Sequence, residues 1–192
     1  KENYEADDIL ATLSTRATAE GFKSLLVSGD RDAMQLVNDQ VTVLYPRKGV
    51  SDLARMTPEG VEEKYLVPPA RYPELAALVG ESADHLPGVP GVGPKTAVKW
   101  LNTYDGLENL IREADTVRGK AGQSFRDHLD DVIRNRKLNA LVRDLDLDVT
   151  LADLARQPWD PKATRAVFDT LEFRTLWDRV RALASESDAD EV

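Results

Sequence analysis

Apolar positions in the first third of the chain alternate between helical and strand spacing. Tyr4 to Glu20 sets Ile9, Leu13 and Ala17 on one stripe of a helix, and Gly21 follows as a stop. SLLVSGD, residues 24–30, is a short apolar run closed by Gly29 and Asp30, the pattern of a buried strand. A short helix over Asp32 to Val37 and a strand, VTVLY (41–45), come next. This alternation predicts an α/β fold with a mostly parallel sheet. Ligand chemistry in such sheets gathers at the carboxyl ends of strands, where Asp30 sits.

From Thr57 onward the spacing is helical. TPEGVEEKY has a Thr cap followed by Pro, PELAALVG gives a second helix, and a Gly/Pro-rich hairpin runs into a helix at Pro94 that turns Ala97, Val98 and Leu101 inward. Trp100, at helical spacing from Thr96 and Ala97, belongs to the core rather than to a base-stacking platform. Helices are predicted near Leu107 to Ala114 and over Gln123 to Leu141. DLDLDVTL (144–151) alternates with period two and predicts an edge strand. A last helical stretch, Ala163 to Leu183, is expected to pack Phe168, Phe173 and Trp177 on the core before the acidic tail SESDADEV. Three regions follow: 1–66, the α/β part; 67–143, helical; and 144–192, return strand and terminal helices.

Composition narrows the chemistry. No apolar run approaches the ~20 residues that cross a bilayer, and the start carries no signal-peptide pattern, so a cytoplasmic location without membrane contact is expected. With no cysteine and only His85 and His128, thiolate and Cys/His zinc chemistry is excluded or nearly so, and a metal must sit on carboxylates. Carboxylates favour hard ions such as Mg²⁺ or Mn²⁺. The net charge of −9 argues against nucleic acid until it is divided: −6 over residues 1–84, +3 over 85–143 and −6 over 144–192. A basic middle lies between acidic ends.

Three groups of acids stand out: Glu5, Asp7 and Asp8 at a helix start, Asp30 and Asp32 after a strand, and Glu81 and Asp84 before the hairpin. Singly, each has an ordinary explanation in a helix first turn or a strand-end turn. Together near one sheet edge they repel unless cations neutralise them, and two hard cations ~3.5–4 Å apart are the usual device for phosphodiester displacement. The second constellation is Gly88, Gly91, Gly93, Lys95 and Thr96, with Lys99 one turn on. Closely spaced glycines admit a phosphate to the backbone, and the helix behind them presents its positive dipole end. A phosphate-binding loop of the G-x-x-x-x-G-K-[ST] type fails in register, because Pro94 separates Gly93 from Lys95. A tight turn without a ligand is the plain alternative.

NYEADDILATL, LYPRKGVSDLARMTPEGVEEKY, SGDRDAMQLV and LVGESADHLPGVPGVGPKTAVKWL together resemble the 5′ nuclease domain of bacterial DNA polymerase I, a relative of phage 5′ exonucleases and flap endonucleases. The resemblance runs from Tyr4 to about Val180. It implies a partial parallel-sheet, PIN-like nuclease core with a helical helix-three-turn-helix subdomain. By that resemblance Glu5, Asp7, Asp8, Asp30, Asp32 and Asp84 match metal-binding carboxylates of a two-metal catalytic site, with Glu81 as a further ligand. Gly88 to Lys95 match the segment that grips the duplex backbone and often holds a monovalent cation. Where the family usually reads Gly-Asp-x-Ser-Asp-Asn, this chain has Gly80-Glu81-Ser82-Ala83-Asp84-His85. The family's opening strand, its metal-binding Asp and its basic arch have no counterpart after Lys1, so the chain reads as a truncated nuclease of weak activity.

Two functions are thereby opposed. One is a structure-specific 5′ nuclease, fused to a polymerase, that removes 5′ flaps or RNA primers from double-stranded DNA in replication and repair. The other is a non-catalytic duplex-binding module. The Asp30/Asp32 pair favours the first, because acids facing DNA repel phosphate and serve no purpose in a pure binder.

Overall fold

The computed structural model describes residues 1–49 and 51–187. Helix α1 (Ala6–Ala19) begins where Asp8 reaches back to the Glu5 backbone N–H at 3.2 Å. Its buried positions are Ala11, Thr12, Ser14 and Ala17, while Ile9 and Leu13 are half-buried, so the inward face is rotated from the expected stripe. The physical reason is that a polar side chain with hydrogen-bond partners can be buried. The Thr12 hydroxyl donates to the Val142 carbonyl and accepts from the Leu145 N–H, both at 3.2 Å.

Strand β1 (Ser24–Val27) lies parallel to β2 (Val41–Pro46), with Ser24 opposite Val41, and the expected short helix is a 3₁₀ turn over Asp32–Leu36. A third strand, β3 (Leu53–Met56), was not evident from periodicity and pairs antiparallel with β2, so the sheet is mixed, in the order β1-β2-β3. On edge strand β1, Leu26 is buried while Leu25 and Val27 stand 58% and 61% exposed, which leaves one face of the strand apolar and uncovered.

Helix α2 (Pro58–Tyr65) is capped by the Thr57 hydroxyl, which accepts the Gly60 N–H at 3.2 Å, and ends at Leu66 in the left-handed region. Helix α3 (Tyr72–Val79) serves two cores. Tyr72 and Ala76 close the sheet cluster with Met34, Val41, Val43 and Val61; Leu75, Ala77 and Leu78 join a helical cluster with Val98, Leu101, Leu110 and Phe125. After α3 a two-residue ladder, β4 (Gly80–Glu81) with β5 (Leu86–Pro87), forms a tight projection ahead of α4 (Pro94–Tyr104) and α5 (Leu107–Arg112). Trp100 is buried against Phe125, 5.5 Å between ring centroids, as expected of a core residue. The helix expected over 123–141 is two helices, α6 (Gly119–Asp127) and α7 (Leu129–Leu138), broken at His128.

The edge strand expected over residues 144–151 does not form. That segment is irregular chain laid along α1, where Asp8 accepts the Val142 N–H at 2.8 Å and the Arg16 guanidinium donates to the carbonyls of Leu145 and Val149. Side chains of a helix satisfy backbone groups that a strand would have paired.

Two compact units result, Lys1–Leu151 and Ala152–Val192. In the second, the Asp160 carboxylate caps α8 (Pro161–Thr170) through the N–H groups of Lys162 and Ala163, and α9 (Arg174–Ser187) follows. Phe168, Phe173 and Trp177, expected on the core, meet one another and, through Trp177, Trp159 within this unit. The last five residues of the acidic tail lie outside the described residues.

Candidate functional site

Asp30 and Asp32 follow β1 at its carboxyl end, in a turn that builds itself. The Ser28 hydroxyl accepts the Asp30 N–H at 3.1 Å, and Asp30 Oδ1 accepts the Asp32 N–H at 2.8 Å. The turn holds Asp32 half-buried, and burial is the largest cause that pushes its carboxyl up to about 8, with the charges of Glu81, Asp30, Asp84 and Asp7 adding to it. Asp7 is raised as well, first by burial and then by Asp30, Glu5 and Asp8. Glu81 is raised by burial and by Asp84 and Asp30, against a lowering effect from Arg31. Acids from three separate stretches of sequence therefore sense one another's charge in a single region.

Asp8 is placed differently from Asp7. Its two oxygens accept the N–H groups of Glu5 and Val142, so its carboxylate joins the helix start to the return segment. Glu5 is exposed just ahead of α1.

Glu81 and Asp84 sit on the β4–β5 projection, whose shape depends on two glycines in contact. A Cβ on Gly80, at φ +81°, would lie 2.2 Å from the Gly88 nitrogen, and one on Gly88 would lie 1.9 Å from the Val79 carbonyl oxygen. Gly88 thus answers to the fold of the projection. At Gly91 and Gly93, by contrast, a Cβ would meet nothing within 4 Å, and Gly93 caps α4, so this side of the hairpin lies open. Lys95 and Lys99 are exposed on α4 and Thr96 is half-buried. Buried Asn135, which periodicity did not mark, steadies the projection by donating to the Pro87 carbonyl at 2.8 Å. A lone Asn on an apolar helix face was the available signal.

A cleft of about 590 Å³ brings the two constellations together, with Asp30, Glu81 and Asp84 sharing its lining with Lys95. The region suits a hard cation in its chemistry, because Asp32 Oδ1 and Glu81 Oε2 are buried acid oxygens without a hydrogen-bond partner. Among the described residues, no three His, Asp or Glu side chains are grouped closely enough to hold one ion. The lining also includes Arg31, Tyr45 and Lys64, which sequence reasoning passed over. Only the place of Arg31 between Asp30 and Asp32 could have drawn attention to it. No helix among the described residues is long and apolar enough to cross a membrane.

Comparison with known proteins finds two family matches along the chain. Residues 1–66 match the N-terminal resolvase-like domain of 5′-3′ exonuclease, and residues 67–162 match its C-terminal SAM fold. DNA polymerase I of Mycobacterium leprae is 56% identical over 183 residues, 95% of this chain and 20% of that protein. That of Bacillus caldotenax is 40% identical over 188 residues, 97% of the chain and 21% of the protein. The chain thus spans about a fifth of the length of these relatives. A T5 5′-exonuclease with bound zinc shares the fold at TM-score 0.66 and 21% identity, over 74% of this chain and 52% of that one. A phage T5 flap endonuclease complexed with DNA and metal ions aligns at TM-score 0.67, again at 21% identity over 74% of this chain and 52% of that one. With both domain families matched in order and the mixed α/β fold shared, the chain belongs to the 5′-3′ exonuclease family.

Proposed function

We propose that this chain is part of a metal-dependent, structure-specific 5′ nuclease that acts on double-stranded DNA bearing a 5′ flap or an RNA primer, within a DNA polymerase I. The observation that carries the reading is the pair of buried, unpartnered acid oxygens, Asp32 Oδ1 and Glu81 Oε2, beside a cleft whose lining includes Lys95. A pure binding module has no use for buried acids, which cost stability and repel phosphate.

In this reading Asp7, Asp30, Asp32, Glu81 and Asp84 hold Mg²⁺ or Mn²⁺ directly or through water, with Glu5 at the margin. Asp8 acts as a positioning residue for α1. The ions supply charge neutralisation at the phosphate and a lowered pKa for water. Lys95 and the open hairpin at Gly91 and Gly93 take the duplex backbone, and the same open face leaves room for a monovalent cation. Nothing in this grip distinguishes one base from another, so recognition rests on the shape and charge of the DNA.

Crystals soaked in millimolar Mn²⁺ test the reading. Anomalous density is expected beside Asp32 and Glu81 in the wild type and is expected to be lost in Asp32→Asn. Absence of Mn²⁺ from the wild-type cleft, with these carboxylates still apart, would remove the nuclease assignment.

A further inference from the structure

One wall of the acidic cleft carries two cations that stand outside ion-pair distance of its carboxylates. Arg31 springs from the same turn as Asp30 and Asp32, and its side chain shares the cleft lining with Tyr45. Lys64, the penultimate residue of α2, holds its ammonium 4.5 Å from the centre of the Tyr45 ring and 5.1 Å from that of Tyr65. Tyr65 is in turn set edge-on to buried Tyr72, 4.9 Å between centroids. Cation–π attraction from two rings keeps an otherwise free lysine at the cleft. Among the described residues neither Arg31 nor Lys64 forms an ion pair, although acids share the cleft with both.

Cations built into one wall, one of them seated on two rings and neither within ion-pair distance of an acid, mark a place for an anion. We propose that Arg31 and Lys64 are positioning residues that bind phosphates of the strand to be cut, on the side of the cleft lined by Tyr45 and Tyr65. The proposal rests on the nuclease reading and names which part of the substrate this wall receives. Arg31 offers a planar fork of N–H donors that can meet two phosphate oxygens. Lys64 adds a point charge, and Lys95 in the same cleft grips the duplex from α4. The acids can then be filled by metal ions while the flanking phosphates are held by fixed protein charges.

The test is binding of a 5′-flapped duplex and of the same duplex without a flap to this 192-residue chain in Ca²⁺, across a salt series. Arg31→Met and Lys64→Met are each expected to weaken flap binding roughly 3- to 10-fold and to lower the salt slope by about one phosphate's worth, with plain duplex little changed. Arg31→Lys should restore the slope and not the full affinity, because the fork is lost. Tyr45→Leu removes the ring under Lys64 and keeps the ammonium, so it should weaken flap binding with the slope unchanged. A thermal midpoint equal to that of the wild type excludes misfolding as the cause. Wild-type affinity and slope in both Met variants would overturn the proposal and leave the nuclease reading standing. A wild-type chain that bound neither DNA would overturn both.

Discussion

Gly80 and Gly88 touch backbone to backbone, so closely that a methyl group on either would overlap the other strand of the β4–β5 projection. This contact sets where Glu81 and Asp84 stand, since both residues lie within the loop that the two glycines close. Gly91 and Gly93 have open space instead, and Gly93 lies at an ordinary φ of −97°.

The four glycines should therefore separate by experiment. Gly80→Ala and Gly88→Ala are expected to destabilise the chain by more than ~3 kcal/mol, because the clash is with backbone that cannot yield. Gly91→Ala, at φ +79°, should cost about 1 kcal/mol from backbone strain alone. Gly93→Val should leave urea unfolding nearly unchanged and weaken duplex binding. Equal stability losses at all four positions would mean that the hairpin has only a structural role.

Asp32 sets a pH dependence with a definite sign. Its carboxyl titrates near 8 in the folded chain and near the usual 3.8 when unfolded, so the folded state binds the extra proton between these values. Stability of the metal-free chain should fall as pH rises from about 4 to about 8, and Asp32→Asn should remove much of that fall. Urea midpoints at pH 5 and pH 8 for both proteins measure the difference. Mg²⁺ should raise the pH 8 midpoint of the wild type and not that of the variant; a matching rise in both would place the ion elsewhere.

Thr12 and Arg16 hold the return segment through four hydrogen bonds to the carbonyls of Val142, Leu145 and Val149 and the N–H of Leu145. Thr12→Val keeps the side-chain shape and leaves the Val142 carbonyl and Leu145 N–H without these partners, which should cost ~1–3 kcal/mol. Amide exchange should quicken at Leu145 in particular, whose N–H loses its acceptor. Unchanged protection there would show that the segment is held by packing of buried Leu145 alone.

Lys95 is exposed, among the described residues forms no ion pair, and lines the cleft. Lys95→Ala should weaken binding to all duplex sequences alike and flatten the salt dependence by about one phosphate contact. Altered sequence preference with an unchanged slope would instead indicate contact with base edges.

The sequence by itself determined the elements whose cause is local. Thr57 before Pro58 starts α2, the apolar run after Ser24 makes a strand, and Pro94 after Gly93 opens α4, because caps, proline and spacing act over a few residues. It also showed the acids and glycines, since chemistry-bearing residues are visible one at a time. Tertiary structure alone decided which of them share a cleft. Asp8 and Asp7 are adjacent in sequence, yet both oxygens of Asp8 bind backbone N–H groups, one of them 134 residues away, while Asp7 senses Asp30. The alternation at 144–151 predicts a strand, but Thr12 and Arg16 supply its partners from a helix, and no local pattern records that. Strand β3 likewise exists because β2 offers it a ladder. Burial did the rest: Asp32 becomes a weak acid, and Asp32 Oδ1 and Glu81 Oε2 lose their partners, only once separate segments close around them.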